Sequence, residues 1–104
     1  MTRIRVQEAA AARIDAIYRY TRERWGEAQA DAYVSGLFDA CEGIESGTVV
    51  SRPVPAELGV DGYVFRYKMH FVYWKRLSDG TVGIVTVLHE RMHQISRFLE
   101  DHEH

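Results

Sequence analysis

The sequence predicts an α+β fold: an N-terminal strand, an antiparallel helix hairpin, a three-stranded antiparallel meander and a short C-terminal helix. Three observations predict it. Two stretches carry side chains at i, i+4, i+7 and i+11 with one glycine between them, the spacing of two amphipathic helices joined by a tight turn. From Gly62 to Arg91 the chain changes to runs of Val, Ile, Thr and aromatic residues, the composition of strands. Two of those runs, Phe71-Val72-Tyr73-Trp74 and Ile84-Val85-Thr86-Val87-Leu88, are apolar or nearly so on both parities, so both faces of the sheet need cover. The helix hairpin can cover one face. The other is left to the C-terminal helix or to another protein, and this surplus apolar face is the first functional clue.

Taken in order, Arg3 to Val6 has Ile4 and Val6 at alternate positions and suits a strand at the sheet edge. From Glu8 the period becomes helical, with Ile14, Tyr18, Thr21 and Trp25 on one stripe, widened by Ile17. Arg13, Asp15, Arg19, Arg22 and Glu23 take the other face. Gly26 ends this helix and Glu27 places negative charge at the start of the next, where Tyr33, Leu37, Ala40 and Ile44 repeat the spacing up to Gly47. Ser46 to Asp61, with Pro53, Pro55 and Gly59, reads as a surface loop. The meander strands are Tyr63 to Lys68, His70 to Leu77 and Thr81 to His89, the last two reversed at Ser78-Asp79-Gly80. Met92, Ile95 and Leu99, with Phe98 beside them, mark a last helix from Arg91 to Glu100 that closes the core or meets a partner. A polar end, Asp101-His102-Glu103-His104, follows.

At 104 residues this is a single domain, spanning 1–104, with no internal repeat and no dividing linker. No apolar run approaches the roughly 18 residues that span a bilayer, and charge interrupts the N-terminus throughout, so the expectation is a cytoplasmic protein without a membrane segment. The single cysteine, Cys41, excludes an internal disulfide and suits a buried packing role. Thirteen basic against fifteen acidic residues leave a net charge of −2, which argues against a dedicated polyanion binder. No direct nucleic-acid contact is expected.

His89-Glu90-Arg91-Met92-His93 matches H-E-x-x-H, which on a helix places two zinc-binding imidazoles on one face with a glutamate as general base. The context is wrong for that chemistry. His89 ends a β-branched strand, so helical i, i+4 geometry is lost, and a third ligand would have to come from the eleven residues after His93. The reading is two unrelated histidines at a strand-to-helix junction, with no metal and no cofactor. His70, at the turn into the second meander strand, reads as a satisfied structural residue. No phosphate loop, nucleophile elbow or paired carboxylates are visible.

Several segments together resemble the ParE branch of the RelE/ParE toxins of bacterial toxin–antitoxin pairs. They are Tyr20-Thr21, Trp25-Gly26, Gln29-Ala30 through Tyr33 and Leu37, Phe65-Arg66, His70-Phe71-Val72-Tyr73-Trp74 and Leu88-His89-Glu90-Arg91-Met92. The last is similar to the family's Leu-His-x-Arg-Met-Asp, with His93 in place of Asp. The resemblance implies the same architecture, a ParD-like antitoxin as partner and DNA gyrase as target. Positions where ribosome-dependent ribonucleases of the RelE type are expected to be basic hold Val64, Arg66, Phe71 and Met92, only one of them a cation. The resemblance therefore implies a gyrase poison rather than a catalyst. The alternatives are an mRNA interferase with a diverged site, or a toxin fold that has lost toxicity and only binds its partner. On this reading Val64, Arg66, Phe71 and Tyr73 bind the antitoxin and His89, Arg91 and Met92 contact the target, with no catalytic residue assigned.

Overall fold

The computed structural model describes residues 4–56 and 61–102. Among them the element order is β1 (Ile4–Val6), α1 (Glu8–Trp25), α2 (Glu27–Ser46), β2 (Arg52–Pro53), β3 (Tyr63–Tyr67), β4 (His70–Arg76), β5 (Val82–His89) and α3 (Gln94–His102). Five strands form one sheet in the order β1-β5-β4-β3-β2, with β1 parallel to β5 and every other pairing antiparallel. The α+β architecture expected from the periodicities is the one observed. Arg3, Gly59, Glu103 and His104, which entered the strand, loop and tail expectations, lie outside the described residues.

The helix hairpin turns on one residue. Gly26 has φ 96° and ψ 167°, a region only glycine enters freely, and it serves at once as C-cap of α1 and N-cap of α2. Its N–H bonds to Arg22 O and its carbonyl accepts from Ala30 N, so the chain reverses without an intervening loop. Tyr18 Oη donates to Asp31 across the hairpin at 2.8 Å. Ala10, Ile14, Leu37 and Cys41 then pack on one face of the sheet against Phe65, Val72, Trp74, Val82, Ile84 and Val87. Burial pushes the Cys41 thiol up to about 12, so it is an inert packing group.

The apolar surplus on both parities has a local cause. Opposite Tyr73 and Trp74, strand β5 carries Thr86 and Ile84, so Val85 is an extra residue, a β-bulge. The bulge turns Val85 and Thr86 to the same face, away from the hairpin. There a second core forms from Val54, Tyr73, Val85, Leu88 and Phe98, edged by Val64 and Phe71. Helix α3 supplies its lid.

Four sequence expectations need correction. The 46–61 segment is not all loop: Arg52 and Pro53 pair with Val64 and Tyr63 as a short edge strand, where a proline without a donor is tolerated. Helix α3 begins three residues later than its apolar spacing suggested, because Met92 N–H closes a turn onto His89 O and Gln94 Nε2 donates to His89 O and Met92 O. Its inward face is Gln94, Phe98 and Asp101, so Met92, Ile95 and Leu99 do not close the core and are 39%, 50% and 37% exposed. Arg13 does not sit on a purely solvated face. Its Nε donates to Asp101 Oδ2 at 3.0 Å, the same oxygen that accepts Thr86 Oγ1 at 2.7 Å, and this contact ties α1, β5 and α3 together beyond the end of β1.

Candidate functional site

The four residues expected to meet an antitoxin form two directly opposed cross-strand pairs. Val64 lies opposite Tyr73 and Arg66 opposite Phe71, all on the face away from the hairpin. Arg66 is the one cation among them. Its Nη2 pairs with Glu90, its Nε donates to Lys68 O at 2.8 Å, and its guanidinium lies 5.3 Å from the Phe71 ring centre. Tyr73 is under α3: its ring is 4.8 Å from that of Phe98, its hydroxyl donates to Gln94 Oε1 at 2.8 Å, and the residue is 8% exposed. Burial raises its phenol above the ordinary tyrosine range. Val64 and Phe71 are half-buried at the margin of this second core and Arg66 is exposed. The surface open beside α3 is therefore Val64, Arg66 and Phe71.

His89, Arg91 and Met92 lie elsewhere, at the end of β5, where they line a cleft of about 790 Å³ with Ile17, Tyr20, Arg24, Trp25, Tyr33 and His70. The walls are the tip of the helix hairpin and the ends of β4 and β5. Buried positions on α1 stop at Thr21, so its final turn overhangs the sheet, and Trp25, expected in the core by its spacing, is 67% exposed at the cleft mouth. At the cleft floor His70 faces His89 across the strands, with ring centres 5.1 Å apart. Tyr33 Oη is 2.7 Å from His70 Nδ1, and Tyr67 Oη donates to Tyr33 O at 2.9 Å. Burial, reinforced by His89, lowers the His70 imidazole from 6.5 to about 4, so it is neutral at pH 7. Burial also raises Tyr33 and Tyr67.

The H-E-x-x-H string adopts no helical geometry. His89 Nδ1 accepts Arg91 N–H at 3.1 Å and His93 Nδ1 accepts Ser96 N–H at 3.3 Å, so one histidine shapes the turn and the other caps α3. Among the described residues no three His, Cys, Asp or Glu side chains gather as metal ligands. Nor is any helix there long and apolar enough to cross a membrane.

The family model described as "ParE toxin of type II toxin-antitoxin system, parDE" matches residues 4–94, nearly the whole of this fold. The chain belongs to the ParE toxin family. Toxin ParE1 of Mycobacterium tuberculosis (strain ATCC 25618 / H37Rv) is 28% identical over 91 residues, covering 88% of this chain and 92% of that protein. Toxin ParE of Escherichia coli is 28% identical over 100 residues, covering 96% of each. This chain is thus a ParE-type toxin of a type II toxin–antitoxin system, a class defined by an antitoxin partner. In this ParE-type chain the two predicted residue sets occupy opposite faces of the sheet, and the Arg66–Glu90 pair runs between them. Sequence reading missed Tyr20, Arg24 and Trp25 as members of the cleft. Trp25 read as core because its spacing continues the apolar stripe, and only the end of the sheet shows where that stripe becomes surface.

Proposed function

We propose that this ParE-type toxin acts by binding DNA gyrase and stalling it with DNA cleaved, and that a ParD-like antitoxin holds it inactive on the sheet face edged by Val64, Arg66 and Phe71, with Tyr73 beneath. One observation carries the choice of a protein target over phosphodiester cleavage. The only cation among Val64, Arg66, Phe71 and Met92 is Arg66, already paired with Glu90, which leaves none of these four positions with a free charge to stabilise a phosphorane-like transition state. A protein-binding surface needs no such charge, and an apolar margin such as Val64 and Phe71 suits a partner's amphipathic segment. The target-contacting residues on this reading are His89, Arg91 and Met92, at the cleft.

The test is expression of wild type, Phe71→Glu and Arg91→Ala with and without the antitoxin encoded by the adjacent reading frame. Wild type is expected to arrest growth with gyrase-dependent DNA breakage. Phe71→Glu is expected to escape the antitoxin. Arg91→Ala is expected to fold and bind antitoxin while losing most growth inhibition. Arrest of translation with messenger RNA cut on ribosomes, and no DNA-damage response, would replace this reading with the mRNA interferase.

A further inference from the structure

Within the cleft the charges are all of one sign. Its lining includes Arg13, Arg24 and Arg91 and no Asp or Glu, on a chain whose acidic residues outnumber its basic ones by fifteen to thirteen. Arg13 is committed to Asp101, whereas Arg24 and Arg91 make no ion pair with any described residue. Arg24 instead rests over the Tyr20 ring, 5.6 Å from its centre, and so stays beside the cleft mouth. The rest of the wall is mainly apolar, with Ile17, Met69, Val87 and Met92 in it, and Tyr20, Trp25, Met69 and Met92 are all exposed. An exposed apolar surface continues beyond Met92 along the outer side of α3 through Ile95 and Leu99.

We infer that this cleft is the docking site for an acidic, apolar segment of the toxin's target protein, with Arg24 and Arg91 receiving its carboxylates and Trp25, Met69 and Met92 its apolar side chains. The inference rests on the reading that the toxin acts on a protein target, and it adds Arg24, Tyr20 and Trp25 to the contact residues. Charge complementarity selects the occupant. Two free arginines match one or two carboxylates, whereas duplex DNA presents a charge about every 1.7 Å and needs a longer basic track than this chain of net charge −2 offers. His70 at the floor adds no positive charge at neutral pH. The volume, about 790 Å³, is that of a site taking a few side chains and not a whole domain.

Purified wild type, Arg24→Gln, Arg24→Glu and Trp25→Phe would be titrated with reconstituted gyrase at low and high ionic strength. Trp25 emission would be followed, since Trp74, the other tryptophan, is buried. Expected are a blue shift on binding that Trp25→Phe abolishes, a fall in affinity of about tenfold for Arg24→Gln and more for Arg24→Glu, and a weaker salt dependence in both. Unchanged antitoxin binding and unchanged thermal unfolding in Arg24→Gln would show that the fold is intact. Wild-type affinity and salt dependence in both Arg24 variants would overturn the inference and leave the gyrase reading standing. Absence of any gyrase binding by wild type would overturn both. Binding of short DNA duplexes lost in the Arg24 variants, or self-association of the chain lost with them, would assign the cleft to a nucleic acid or to a second copy and so reject the inference.

Discussion

Protonating His70 should cost this fold stability, and the structure sets the size and sign of the effect. The imidazole lies between the Tyr33 hydroxyl and His89, and burial lowers it from 6.5 to about 4. Between those values the unfolded chain holds a proton that the folded chain refuses. Stability therefore falls as pH drops from 6.5 towards 4, and His70 contributes no slope above or below that window. At about 1.4 kcal/mol for each tenfold change in proton affinity, the full displacement amounts to about 3 kcal/mol. The ring keeps part of its solvent contact, which screens the added charge, so about 1.5 to 2 kcal/mol is the expected loss between pH 7 and pH 4. Urea unfolding of wild type and His70→Asn at both pH values isolates this contribution, because the other titrating groups remain in the variant. Asn also keeps a polar atom near the position of Nδ1 for the Tyr33 hydroxyl. Wild type should lose about 1.5 to 2 kcal/mol more than His70→Asn on acidification. Equal losses, or a smaller loss in wild type, would show that His70 charges as readily in the fold as in the unfolded chain.

Three further outcomes follow from packing and charge. Asp101→Ala should destabilise the domain by about 3 kcal/mol in urea unfolding, because it strands the Arg13 guanidinium and the fully buried Thr86 hydroxyl together; a loss under about 1 kcal/mol would mean that water replaces the carboxylate. Gly36→Ala should lower the melting temperature despite alanine's better helix propensity, since its Cβ would stand 2.4 Å from Tyr67 Oη. Adding Tyr67→Phe to that variant should recover part of the loss, although it gives up the bond to Tyr33 O. Chelators should leave the melting temperature unchanged, because His89 and His93 both spend Nδ1 on backbone amides in a turn; a chelator-induced drop of several degrees would revive the zinc reading.

Most of the fold was legible because its signals are local and strong. Gly26 between two helical stripes has one economical solution, and the strand ends at Tyr63, His70 and His89 match the limits of the β-branched and aromatic runs. Strand β2 was not legible, since two residues containing a proline carry no periodicity and acquire strand geometry only by pairing with β3. The bulge at Val85 was visible only indirectly. A run that is apolar on both parities says that both faces are covered, but the register that turns Val85 and Thr86 to one side depends on the partner strand.

The site divides along the same line, between what spacing encodes and what tertiary position decides. Strand parity, a property of the sequence, puts Val64 with Arg66 and Phe71 with Tyr73, but that the two pairs share a face needs the register of β3 on β4, and their expected role came from the family resemblance. Helix α3 shows the opposite case. The apolar spacing of Met92, Ile95 and Leu99 suggested an inward stripe, yet Met92 precedes the helix, which docks through Gln94, Phe98 and Asp101, two of them polar. Hydrophobic spacing finds an inward face only when that face is apolar. Here Tyr73 and Thr86 on the sheet, and Arg13 reaching across from α1, supply the polar partners that let Gln94 and Asp101 turn in. Because Phe98 and the polar bonds of Gln94 and Asp101 already form the inward face, Ile95 and Leu99 stay exposed on the outer side of α3. A toxin must offer a surface to its target while keeping its own core closed. On the reading proposed above, the inward face of α3 closes the second core while Ile95 and Leu99 stay exposed on its outer side.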